Sequence, residues 1–194
     1  GGSRVARALA GMIPREAGHQ FVDEILIAMD TDLLLLSDDL GYRRLAGHVG
    51  IGRRAGLAAL LHVAFERGTI DHERYVGLLS ALGHARHRFL AVTAADLALA
   101  FGTDKGMAGP KLRGLAMHFG GPRAFVAVQW PEAETFLEWL WAEDEHVASR
   151  IAVITLFADR LLSEVPGLRA AFSSELFANP ETAPAALGRA VAAS

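Results

Sequence analysis

The chain has 194 residues, with 52% apolar and 21% charged residues, 22 acids against 19 bases and a formal net charge of −3. So much apolar side chain excludes a disordered polymer, and the charge excludes a polycation, so any nucleic-acid contact must come from a local basic patch. There is no cysteine, which excludes disulfides and thiolate zinc sites and fits a reducing, cytoplasmic compartment. No apolar stretch approaches the roughly 20 residues needed to span a bilayer, so no membrane partner is expected.

The segment 1–18 has weak periodicity, with a short helix expected over 4–12 and interrupted by Pro14. Val22, Ile25, Leu26 and Met29 recur at helical spacing, so a helix is expected over 21–29. Asp30, Thr31 and Asp32 are turn residues. Leu33–Leu36 is a short apolar run between turn signals, the pattern of a strand buried on both faces. It is expected to be among the most buried parts of the chain. Ser37 or Asp38 then caps a helix over 40–46.

A loop over 47–52 leads to a strong helix over 53–67, ending at Gly68. Asp71 caps a helix reaching about Leu82, and 88–92 reads as a short strand. Thr93 opens a helix over 94–101, with Asp96 placed for a capping box. The glycine- and charge-rich stretch 102–110 is the expected domain boundary. Helices follow over 111–119, 131–141, 146–162 and 168–177, with Pro131 in a first helical turn. The pattern over 125–130 fits strand and helix equally, and the alanine-rich tail after Pro180 is expected to fray.

Ser37-Asp38-Asp39 is the most informative spot. Two adjacent carboxylates follow the C-terminal end of a strand, the edge at which open α/β sheets bind ligands. At about 4 Å and an effective dielectric near 20 their repulsion is roughly 4 kcal/mol. A hard divalent cation such as Mg²⁺ or Mn²⁺ would relieve it, while helix capping is the plainer use of the same residues. Asp23 and Glu24 open the preceding helix. In a parallel sheet, a helix running back along the strands starts where the strands finish, which brings Asp23 and Asp38 to one edge.

Val22-Asp23-Glu24-Ile25-Leu26-Ile27-Ala28, followed by Leu33-Leu34-Leu35-Leu36-Ser37-Asp38-Asp39-Leu40, resembles the closing half of PIN domains. Gly68, Ile70-Asp71, Tyr75, Leu78-Leu79 and His87-Arg88-Phe89-Leu90 look like PIN-like domains embedded in larger bacterial proteins. The resemblance covers about Gly18 to Leu99. It implies an α/β fold: a partial PIN-like α/β/α sandwich with a short parallel sheet over 1–101, then a mainly helical extension over 102–194. It further implies a Mg- or Mn-dependent endoribonuclease, with Asp23 and Asp38 as metal ligands, Asp39 auxiliary and Glu24 a substitute for Asp23.

The family pattern also has an earlier strand carrying a catalytic aspartate. Only the acid Glu16 precedes Phe21 here, so the N-terminal half is expected to be absent, Gly1 to be an internal start and the acidic centre to be incomplete. Weak or no ribonuclease activity follows from that reading. The other function class is a non-catalytic scaffold, with the helical extension meeting a protein partner.

Arg43 and Arg44 are the candidates for RNA phosphate contact, with Arg53-Arg54 a further pair. Such arginines are more often solvated helix faces. His84 and His87 have metal-ligand spacing without an evident third ligand. Trp130, Trp139 and Trp141 sit at apolar periodic positions and read as packing residues rather than base-stacking platforms. The glycines over 105–111 lack phosphate-loop spacing.

Overall fold

A computed structural model describes residues 20–37, 40–87, 91–121, 123–143 and 146–194. The chain divides into two compact units, Gly1–Arg67 and Gly68–Ser194.

The first unit contains α1 (Gln20–Thr31), β1 (Leu35–Leu36), α2 (Leu40–His48), β2 (Arg54–Ala55) and α3 (Leu57–Glu66). The two strands pair in parallel, Leu35 opposite Arg54 and Leu36 opposite Ala55, so α2 is the crossover between them. Leu35 N–H donates to the Arg53 carbonyl and Ser37 N–H to the Ala55 carbonyl, each at 2.9 Å. Parallel strands cannot be joined by a tight turn, which is why a helix intervenes. The core here is Ile25, Ala28, Leu35, Tyr42, Ala46 and Ile51, with Leu26, Leu45 and Val49 packed around it.

The second unit is helical. It contains α4 (His72–His84), α5 (Ala94–Thr103), α6 (Pro110–Ala116), α7 (Arg123–Glu143), α8 (Val147–Leu161), α9 (Pro166–Ala178), a 3-10 turn (Pro180–Thr182) and α10 (Ala183–Ala193). Local chemistry sets several of its boundaries. The Asp71 carboxylate accepts from Arg74 N–H at 2.7 Å and caps α4. Thr93 and Asp96 form a reciprocal capping box at α5. Pro110 stands in the first turn of α6, where its missing N–H costs nothing. Leu79, Leu97, Leu112, Leu115, Phe136, Leu137, Leu140, Ile154 and Phe157 are fully buried. Edge-to-face rings, Phe101 on Phe136 at 6.3 Å and Phe119 on Phe157 at 5.1 Å, run through this core.

Four expectations are corrected. Among the described residues helix dominates, and the β structure is two strands of two residues each. The fold class is therefore mainly helical, not an α/β/α sandwich, because most helices bury their apolar faces on one another rather than on a sheet. Second, the Leu33–Leu36 run is not buried as a whole. Leu35 is 6% exposed, whereas Leu33, Leu34 and Leu36 are 58%, 45% and 48% exposed. Alternate strand residues point to opposite faces, and only the Leu35 face is covered. Third, Arg54–Ala55 is a strand, and the helix expected from 53 starts at Leu57. Fourth, α7 runs unbroken from Arg123 to Glu143 with Pro131 inside it.

The glycine-rich segment 102–110 is internal to the second unit. There the Asp104 carboxylate accepts from Leu112 N–H at 2.9 Å. The strand expected over 88–92 and the helix expected over 4–12 fall wholly or partly outside the described residues.

Candidate carboxylate site

The parallel pairing fixes which residues share an edge. Ser37 follows the C-terminal end of β1, and α2 departs from that same edge. Helix α1 runs back along β1, and one contact locates its N-terminal half. The Tyr42 hydroxyl, in the first turn of α2, donates to Glu24 Oε2 at 3.3 Å. The N-terminal half of α1 and the first turn of α2 are thus side by side at the strand's C-terminal end.

Helix periodicity explains why Glu24 takes this contact. At about 100° per residue, Glu24 flanks the stripe formed by the buried Ile25 and Ala28, while Asp23 falls on the far side of the helix. Asp23 is exposed in the first turn of α1, where its charge suits the helix dipole. Asp38 and Asp39, the remaining expected acids, lie outside the described residues. Tyr42 was not singled out by its sequence context, since a tyrosine inside an amphipathic helix looks like core. Burial, followed by the charge and hydrogen bond of Glu24, pushes its phenol from 10.0 up to about 12.

The basic residues divide between two edges. Arg43 sits in α2, one turn from its start, and its buried Nε has no hydrogen-bond partner. Arg44 is exposed, and its carbonyl accepts from His48 Nδ1 at 2.8 Å. Arg53 lies at the opposite, N-terminal end of the strands. There its Nη1 donates to the Asp32 carbonyl at 2.9 Å and lies 3.6 Å from the Asp32 carboxylate. Arg54 donates to the Ile51 carbonyl. The Arg53-Arg54 pair is therefore committed to loop closure, away from the edge at which β1 ends.

In the second unit, His84 Nε2 donates to the Pro110 carbonyl at 3.0 Å, tying the end of α4 to the start of α6. Trp139 stacks on Phe136 at 5.9 Å, Trp141 Nε1 donates to the Pro180 carbonyl at 3.3 Å, and Trp130 packs beside Gly188. All three tryptophans serve packing contacts. Among the described residues, no three His, Asp or Glu side chains are grouped to hold a metal ion, and no helix is long and apolar enough to cross a membrane. No family model, curated protein or solved structure matches this chain.

Proposed function

We propose that the first unit carries a carboxylate site of the PIN-like ribonuclease kind, at the C-terminal end of β1. Glu24, the substitute for Asp23 on the side of α1 that meets α2, and Asp38 are the proposed ligands for Mg²⁺ or Mn²⁺, Asp39 is auxiliary, and Arg43 and Arg44 are the proposed contacts to RNA phosphates. The observation that carries this reading is the Tyr42–Glu24 hydrogen bond. It sets the acid-bearing N-terminal half of α1 beside the end of the strand that Ser37 follows. The parallel crossover β1–α2–β2 supports it, because ligand sites of such units lie at that edge. The donor chemistry fits a hard divalent cation, and a bound ion would supply Lewis acidity and an activated water at a phosphodiester.

A second reading, a non-catalytic protein-interaction module, is favoured by one observation. The exposed leucines 33, 34 and 36 lie in the same unit as α3, an apolar helix with no buried residue. An uncovered apolar surface of this kind is typical of a partner-binding face.

The test is Mn²⁺ titration of the full chain, beside incubation with single-stranded RNA, for the parent, Asp38→Asn and Arg43→Ala. The nuclease reading expects weak Mn²⁺ binding that falls about tenfold or more in Asp38→Asn, with RNA cleavage weak and lost in the same variant. Arg43→Ala should weaken RNA binding without changing Mn²⁺ affinity. Equal Mn²⁺ affinity in the parent and Asp38→Asn would overturn it and leave the interaction module.

A further inference from the structure

We propose that His118 is a proton-operated latch of the second unit: charging its ring detaches the turn 118–121 from α4 and loosens the helices gathered there. His118 follows α6 and is buried. Its Nε2 lies 3.0 Å from the Leu79 carbonyl on α4. A carbonyl only accepts, so Nε2 carries the hydrogen and the neutral ring presents Nδ1 as a bare lone pair. That Nδ1 is buried and makes no hydrogen bond. In the neutral ring this arrangement is inexpensive, whereas a second proton would place a positive charge inside the core.

The surroundings compensate such a charge only in part, since the Leu79 carbonyl and the His87 backbone favour the charged ring but burial outweighs them. His87, in the turn after α4, brings its backbone to the ring, which favours the charged form, but its imidazole disfavours it. From α8, Arg160 approaches the preceding residue, Met117, at its sulfur. His84 on α4 is engaged with Pro110. Among the described residues, no carboxylate acts on the ring. Burial dominates and holds the His118 pKa below its usual 6.5.

Packing removes the local escape routes. A Cβ at Gly83 would stand 2.9 Å from His118 Nε2 and 1.9 Å from the Gly114 carbonyl, so α4 and α6 cross with no slack around the ring. The turn itself is fastened to α7 and α8. Gln129 Nε2 donates to the His118 carbonyl at 2.5 Å and its Oε1 accepts from Gly120 N–H at 2.9 Å. A Cβ at Gly120 would lie 2.1 Å from the Arg160 carbonyl. A charged ring therefore reaches water only by moving the whole turn, which breaks the tie to Leu79.

The sign follows from linkage. A folded-state pKa held below the unfolded value gives stability that is full above about pH 6.5 and is lost as pH falls through the folded value.

The experiment follows the His118 ring by NMR, alongside tryptophan and phenylalanine near-UV dichroism, between pH 4 and 8 on the full chain. The variants are His118→Gln and His87→Ala. The glutamine amide still donates to the Leu79 carbonyl but cannot charge. Its acid transition should move down by roughly one pH unit, and the parent's ring titration should coincide with loss of the aromatic signal. If His118→Gln does not fold, His87→Ala decides. Removing the neighbouring imidazole should raise the His118 titration toward the ordinary range and make the acid loss shallower. Superimposable acid limbs in the parent and the folded variant, or a ring that titrates while the aromatic signal stays intact, would overturn the latch.

Discussion

Tyr42 and Glu24, eighteen residues apart, are joined by a 3.3 Å hydrogen bond that fixes the N-terminal half of α1 against the first turn of α2. The bond has a titration signature. The folded Tyr42 phenol ionises at about 12 against an ordinary 10.0. Because the folded value is raised, the associated stability is complete below pH 10 and is lost as pH rises toward 12. Only one other tyrosine, Tyr75, is present, so absorbance titration in a Tyr75→Phe background reads Tyr42 alone. Glu24→Gln should lower its pKa, since the carboxylate contributes both a charge and an acceptor. An unchanged titration would mean that the two side chains do not meet in solution.

The leucine run separates into one structural residue and three exposed ones. Leu35→Ala should cost about 2–5 kcal/mol, the usual range for deleting a buried leucine side chain. Leu34→Ser and Leu36→Ser should each change stability by about 0.5 kcal/mol or less, as exposed substitutions do, and should reduce self-association of concentrated protein. Urea denaturation and light scattering measure the two effects. A large destabilisation by Leu36→Ser would show that its face is covered.

Among the described residues of the second unit Asp96 is the buried acid, with both oxygens engaged. Oδ1 lies 2.7 Å from His72 Nε2, and Oδ2 accepts from Thr93 N–H at 2.9 Å and Thr93 Oγ1 at 2.8 Å. Asp96→Ala removes a helix-capping partner and a cross-link between α4 and α5 together, so a loss of about 3 kcal/mol is expected. His72→Ala leaves the capping box in place and should cost less, about 1–2 kcal/mol. Chemical denaturation ranks the two, and the reverse order would place the weight of the pair on His72.

The features that sequence reveals here are those decided within a few residues. The Asp71 cap and the Thr93–Asp96 box follow from side chains three or fewer positions from the backbone groups they satisfy. The non-local features were hidden. Leu33–Leu36 is as apolar as a doubly covered strand, but its composition does not record how many faces find cover. Arg54–Ala55 pairs with β1 across nineteen residues while its own neighbourhood reads as helix. Pro131 has the signature of a helix start, yet the chain before it is also helical. For the carboxylate site, the acids were visible as residue types. Which acid of α1 faces α2 depended on helix phase and on Tyr42, eighteen residues away.

The crossing of α4 and α6 depends on two glycines that have no side chain to spare. A Cβ at Gly83 would lie 1.9 Å from the Gly114 carbonyl oxygen, and a Cβ at Gly114 would lie 2.1 Å from Ser80 Oγ and 2.6 Å from the Ser80 carbonyl oxygen. The obstacles include backbone, which cannot rotate away as a flexible side chain would. Alanine is favoured over glycine in a helix by about 1 kcal/mol, so propensity alone predicts that both substitutions stabilise. Overpacking opposes this by about 1–3 kcal/mol or more, and with overlaps this deep it should dominate, giving a net loss of about 2 kcal/mol for Gly83→Ala. Gly77, on the same helix, has nothing within 4 Å of its would-be Cβ. Gly77→Ala should therefore gain about 0.5–1 kcal/mol. Opposite signs at Gly77 and Gly83 in urea denaturation would establish close approach as the reason for glycine at 83. A gain at both would mean that α4 and α6 stand further apart than these contacts require.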